Sequence, residues 1–325
     1  MLKSFLVLQK FCCLLTLFNC ALFLPLVSVA EAAEVQISIM HYFTGDLGKL
    51  EFEKTFDRFS REQNIQILNK PVGHEDFKNA ILQIAAEGRM PDVTSYWAGA
   101  RTQFLVDGGA LAPLSDLWTR GQYAKLIPES LSAASSLYNG ERYLIPFGYH
   151  AVGFFYNPKV FKKVGVTNLP KTWSEFLQLC DQLKKAGIKP LALGAKNRWP
   201  AQFWFDYLLL RTAGPEFRKN LMSGAASYLD PQVLAAMQYW TELLKKGYFR
   251  RGVLTDDWTD AADQVSSGQA AMTLMGSWIT GYWKGKQLVP EEEFDFFPFP
   301  EIDPAQPRVV VGPVDGFVVG ANSMN

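Results

Sequence analysis

Three histidines, a cluster of aspartates and a run of glutamates are the groups in this 325-residue chain whose types could do acid–base or metal chemistry. His41, His74 and His150 stand far apart, and none belongs to a pair at metal-ligand spacing, so neither a zinc site nor any other bound metal is expected. Asp256, Asp257 and Asp260, with Glu291, Glu292 and Glu293, supply carboxylates, and glycoside hydrolysis needs only two of them held several ångströms apart. Asp256 and Asp257, however, precede a helical pattern, where negative charge stabilises a helix start, and the glutamate run reads as a solvated loop. Gly-x-Ser-x-Gly, Walker and dinucleotide fingerprints are absent from the sequence; Gly45-Asp46-Leu47-Gly48 lacks the third glycine a pyrophosphate turn needs. The expectation is a protein without cofactor and without catalysis.

What remains is non-covalent chemistry, and the aromatic content points to it. Aromatics make up 14% of the chain, with nine Trp and twenty-four Phe, enough to fill a core and still line a cleft. The stretch "AAMTLMGSWITGYWKGK" sets Trp278 and Trp283 among Gly276, Gly281 and Gly285, where glycine lets the backbone come close to whatever lies beside it. Thirty-two basic residues balance thirty-two acidic ones. With no Lys/Arg block, nucleic acid and anionic membrane are not expected partners.

The elements that must position these residues follow an α/β pattern. "EVQISIMHYF" alternates Val35, Ile37 and Ile39 with polar residues, as in a strand with one buried face. "LGKLEFEKTFDRFSREQ" puts Leu47, Phe52, Phe56 and Phe59 on a helical stripe, "NIQIL" is a second strand, and "DFKNAILQIAAEGRM" a second helix stopping at Gly88 before the strand "PDVTSYW". Two extended runs in "RYLIPFGYHAVGFFYN" end at Asn157-Pro158. A capping box, Thr172 with Glu175, opens a helix with the stripe Trp173, Phe176, Leu177, Cys180 and Leu183 and a stop at Gly187. "PLALG" is a strand, "PAQFWFDYLLLRTAG" an apolar helix, and a further helix has Asp230 as cap, Pro231 in its first turn and Gly247 at its end. A helix from Trp258 closes at Gly268 and hands over to the strand "AAMTLMG". Trp173, Trp240 and Trp283 are assigned to core or surface.

At the N-terminus Lys3 and Lys10 precede an apolar run, Phe11 to Val29, with a small-residue exit, which reads as a signal peptide over residues 1–32 and an exported, periplasmic protein. An uncleaved anchor is the alternative. Cys12, Cys13 and Cys20 fall in this segment, leaving Cys180 without an intramolecular partner.

Taken in order, "HYFTGD", "AAEGRMPDV" leading to Trp97, "GGALAPLSDL", "YLIPF" followed by "FFYNPKVFKKVG", "PKTWSEF", "LKKAGIKPLALG", "GQAAMTLMGSW" and "FFPFP" resemble the extracellular solute-binding proteins of ABC importers. The likeness is to the sugar-binding branch that includes maltose-binding protein, and it runs over nearly the whole mature chain. It implies a two-lobed type II periplasmic-binding-protein fold with a ligand cleft between α/β lobes, 33–146 plus 309–325 forming the first and 147–308 the second. Relatives usually continue further, so the second lobe is expected to be incomplete, apolar faces to be exposed, and this form to bind sugar weakly or not at all. The resemblance implies that Trp278 projects into the cleft to stack on a sugar ring, and that Asp46, Trp97, His150, Trp199 and Asp315 fall where relatives contact ligand. The plain alternatives are a strand-end core residue for Trp97, a helix-start staple for Trp199 and a turn residue for Asp315. The implied partners are a mono- or oligosaccharide and a membrane-embedded permease, the protein itself being monomeric. Two other readings stay open: a polyamine or metal ion as cargo, with Tyr42, Tyr149 and His150 as the residues to inspect for a metal, and a glycoside hydrolase.

Overall fold

The computed structural model describes residues 35–324, the side chains of Asp46 and Leu47 excepted; the predicted signal segment 1–32 and its cysteines lie outside the described residues. The chain begins with strands and helices in alternation: β1 (Gln36–His41), α1 (Asp46–Gln63), β2 (Gln66–Pro71), α2 (His74–Ala86) and β3 (Val93–Trp97). Parallel strands need a crossover of helical length, and α1 and α2 are those crossovers: β1 pairs in parallel with both β2 and β3. Three helices, α3 (Ala100–Asp107), α4 (Ser115–Arg120) and α5 (Glu129–Ser136), and a small hairpin, β4 (Leu137–Tyr138) with β5 (Glu141–Arg142), lead to β6 (Ile145–Tyr149).

A second series then begins: β7 (Val152–Tyr156), α6 (Pro158–Lys163), α7 (Trp173–Lys185), β8 (Lys189–Ala192), α8 (Trp199–Thr212), α9 (Gly214–Ser223) and α10 (Pro231–Lys245). It continues with α11 (Trp258–Ser266), β9 (Ala270–Gly276), α12 (Ile279–Gly285) and β10 (Asp295–Phe297), before β11 (Val314–Val319). Two mixed sheets result, β2-β1-β3-β11-β6 and β10-β7-β9-β8. Strand pairing carries the first sheet on to Tyr149, past the boundary expected at 146, because β6 pairs with β11 as far as Tyr149–Val314. The chain therefore passes between the sheets at His150–Ala151 and returns near Val311–Pro313. The passages lie side by side: His150 N–H donates to the Pro313 carbonyl at 2.9 Å and Val152 N–H to that of Val311 at 3.0 Å.

Each sheet has its own core. Met40, Phe77, Ile81, Tyr96 and Leu105 fill the first; Phe154, Phe176, Trp204, Met272 and Trp283 fill the second. Trp173 and Trp283 are buried as expected, and Trp240 is partly buried. The α7 capping box is complete, Glu175 N–H donating to Thr172 Oγ1 and Thr172 N–H to Glu175 Oε2, and the free Cys180 is buried on its inner face. There the stripe takes Leu179 rather than Leu177, since 179 continues the i+3 row from Phe176. Asp230 stands at the N-cap of α10 but does not cap it: its carboxylate accepts instead from Ser227 N–H at 3.0 Å.

Two expectations fail for a common reason. The end of β1 is not half-buried, because Ile39, Met40 and His41 are all buried, with β2 and β3 on either side and helices over both faces. The α1 stripe, conversely, is not buried: Phe52 and Phe56 are half-covered and Phe59 is 45% exposed, so α1 shields the first sheet only in part.

Candidate functional site

The residues with the richest polar and aromatic contacts collect where the chain crosses between sheets, near the carboxyl ends of β1, β3 and β9. Open α/β sheets place ligand sites at such strand ends, because loops and helix starts converge there. β11 brings Asp315 opposite Trp97 of β3. Asp315 is 7% exposed, and the Tyr42 hydroxyl, just past β1, donates to its Oδ1. His150, in the first crossing, sets Nε2 2.9 Å from Asp315 Oδ2 and Nδ1 3.1 Å from Ser277 Oγ. A neutral imidazole with its proton on Nε2 satisfies both: it donates to the carboxylate and accepts from the Ser277 hydroxyl. Burial, and then the charge of Asp315, push the Tyr42 phenol well above its usual pKa, so this residue stays a donor.

Around this polar chain stand the indoles. Trp97 lies parallel to Tyr42, with ring centroids 4.3 Å apart, and the Arg101 guanidinium is 5.3 Å from its centroid. Trp278 receives His150 edge-on at 5.1 Å, and the Trp199 and Phe203 rings are each 5.9 Å away. Trp199, the first residue of α8, donates its indole N–H to Glu75 Oε1 at 3.0 Å, a bond from the second sheet's side to the first turn of α2. Burial holds the neighbouring His74 imidazole below its ordinary pKa.

The glycine before Trp278 is a point of close approach, as expected, and what approaches it is the indole of Trp278. A Cβ on Gly276 would lie 1.9 Å from Trp278 Cζ3 and 2.2 Å from Cη2, so only glycine admits the folded-back indole here. Of the six residues singled out in the sequence, Trp97, His150, Trp199, Trp278 and Asp315 join one connected set of contacts. Asp46 opens α1, and its side chain lies outside the described residues. Sequence reading missed His74, Glu75, Lys78 and Ser277, and singled out Tyr42 only as a possible metal ligand. The available signal was positional: "GHEDF" follows a strand end and starts a helix, the setting of site residues on the neighbouring segments.

Other candidate chemistry finds structural employment. Asp257 and Asp260 form a capping box at α11, and Asp256 accepts from Gln264 at 2.7 Å. Glu293 accepts from Lys159 at 3.1 Å and from Val289 N–H at 3.0 Å. Tyr149 is 71% exposed, and among the described residues no three His, Cys, Asp or Glu side chains could hold a metal together. A separate concavity of about 440 Å³ beside α10, lined by Leu244, Phe249 and residues 250–255, lacks both tryptophan and carboxylate.

Two α/β sheets joined by adjacent passages, with polar and aromatic groups gathered at the join, define a two-lobed ligand-binding protein. Residues 49–325 match the family described as bacterial extracellular solute-binding protein, and the chain belongs to that family. It is 28% identical over 286 residues to an uncharacterized ABC transporter extracellular-binding protein of Pyrococcus horikoshii, covering 85% of this chain and 63% of that one. It is 27% identical to a probable sugar-binding periplasmic protein of Mesorhizobium japonicum, covering 84% and 66%. The chain thus spans less than two thirds of the length of these curated relatives. A solved structure from work on xylan utilization by Caldanaerobius polysaccharolyticus aligns with TM-score 0.83 and 26% identity, over 89% of this chain and 74% of that one. The solute receptor AcbH, described as having an exclusive preference for β-D-galactopyranose, aligns with TM-score 0.80 and 26% identity, over 90% and 73%.

Proposed function

We propose that this protein is the exported solute-binding component of an ABC importer and that its cargo is a carbohydrate, bound at the join between the two sheets. The observation that carries this is the pairing of Trp199 and Trp278, 5.9 Å apart, with the fixed Asp315–His150 pair alongside. A sugar is apolar on its C–H faces and polar around its rim, and it asks for flat rings and oriented hydrogen-bonding groups together. Trp97 belongs to the wall rather than to the stack, since Tyr42 already covers one of its faces. The names of the sugar-binding relatives agree with this reading.

In it the two lobes are the two sheets with their helices, residues 35–149 with 314–324 and residues 152–310. Ligand held by both favours their closed arrangement in proportion to its differential affinity, and a membrane permease reads that arrangement. Binding needs no proton transfer and no cofactor; in this reading the protein is a monomeric carrier in the periplasm, delivered there by its signal segment. A polyamine fits less well, because Asp315 and Glu75 already have partners, His150 and Tyr42 for the one, Lys78 for the other. The test is a calorimetric and thermal-shift screen with neutral mono- and oligosaccharides on the 325-residue chain and on a version extended to the length of its relatives. A sugar that binds the wild type and loses at least tenfold in affinity with Trp278→Ala supports the reading; unchanged affinity in that variant refutes the stacking role.

A further inference from the structure

Glu75 lies in the first turn of α2, over the first sheet, and Trp199 opens α8, which packs on the second. Their hydrogen bond is thus made between the two halves of the site. The carboxylate is prepared for it from its own helix. Lys78 Nζ lies 3.0 Å from Glu75 Oε1 and 2.9 Å from Oε2, one helical turn on, and His74 Nδ1 lies 2.9 Å from Oε1. The same ammonium sits 5.7 Å from the Trp199 ring centroid, and the His74 ring meets that indole edge-on at 5.8 Å. With the glutamate rotamer already fixed by the lysine, little side-chain entropy is left to lose when the indole N–H arrives. Every group in this contact belongs to the chain, so its contribution does not depend on what the cleft holds.

We propose that Glu75 is a positioning residue, a latch that ties the two halves together through the Trp199 indole N–H, aims that ring at the cleft and raises the closed population by itself. The aiming of the ring rests on the binding reading above; the latch does not. A charge-assisted bond at a half-exposed site should shift the closed-to-open ratio by roughly fivefold to tenfold, and the apparent affinity for any ligand of the closed form falls in proportion to the closed population that is lost.

The test needs no sugar. In the 15N-labelled chain the Trp199 indole signal is identified by its loss in Trp199→Phe, and its hydrogen exchange is measured beside small-angle scattering of the same samples. The latch requires a slowly exchanging Trp199 indole proton, exchange at least about fivefold faster in Glu75→Ala, and a larger radius of gyration in both single variants. The double variant should open no further than either single one, since both remove the same bond. Glu75 is half-exposed, so its truncation leaves a folded chain, checked by far-ultraviolet circular dichroism. Unchanged exchange in Glu75→Ala, or additive opening in the double variant, overturns the latch. Failure of the chain extended to the length of its relatives to bind any sugar would overturn the proposed function and leave this outcome unaffected.

Discussion

Replacing Gly276 by alanine should injure the site through one ring and nothing else. Gly276 ends β9, pairs with Val152 and has no positive φ, so an alanine backbone fits there without strain. The added methyl would sit 1.9, 2.2 and 2.4 Å from Cζ3, Cη2 and Cε3 of Trp278. Carbon atoms settle near 3.5 Å, so the indole must retreat by roughly 1.5 Å, away from its packing on His150, Trp199 and Phe203. Overpacking of this kind costs about 1–3 kcal/mol, which at some 2–4 °C per kcal/mol lowers the melting midpoint by roughly 2–12 °C. Gly281→Ala is the internal control: nothing lies within 4 Å of its Cβ, and alanine inside α12 stabilises the helix by about 0.5–1 kcal/mol. Thermal melts followed by near-ultraviolet circular dichroism report both stability and indole packing. If Gly276→Ala melts with wild type and keeps its aromatic spectrum, the ring does not occupy the position argued here.

Asp315→Asn should lower the titration midpoint of Tyr42, followed by phenolate absorbance, while leaving it above the ordinary value, since burial persists when the charge goes. It should also cost about 1–3 kcal/mol by weakening two hydrogen bonds to a buried charge. Stability should fall as pH drops below about 6.5, because burial lowers the pKa of His41: the unfolded chain takes up a proton that the folded one resists, by up to about 1.4 kcal/mol per pH unit. Denaturant titrations at several pH values should show a flatter profile in His41→Phe; an unchanged slope would remove His41 from the account. Thr172→Ala should destabilise the chain by about 1 kcal/mol through loss of the α7 cap, read in urea melts.

How much was legible in the sequence follows the range of the forces involved. Local signals survived well. The Thr172–Glu175 box, the left-handed glycines Gly187, Gly247 and Gly268, and the aspartates opening α11 stand where local rules put them. Burial did not follow as closely, since it depends on neighbours far along the chain. β1 reads as half-buried until β2, β3 and two helices enclose it, and the α1 stripe reads as buried although α1 covers its sheet only in part. At the site, tryptophans flanked by glycines could be picked out because both residue types are unusual. Glu75 and Ser277 could not, because a glutamate in a first helical turn and a serine in a turn are ordinary until distant segments meet them. Gly276 was identified correctly as a residue of close approach, but what approaches it lies two residues away in its own chain.

The Tyr207 hydroxyl, on α8, donates to the Val152 carbonyl of one crossing and accepts from Val311 N–H of the other at 3.3 Å. One phenol therefore staples both connectors at a single height, which would leave bending to the stretch beyond the staple, around His150 and Pro313. In the lobe closure proposed above, the halves would turn like the covers of a book stitched near one edge of its spine, and the side chains nearest that fold, His150 and Asp315, would travel least as the covers part.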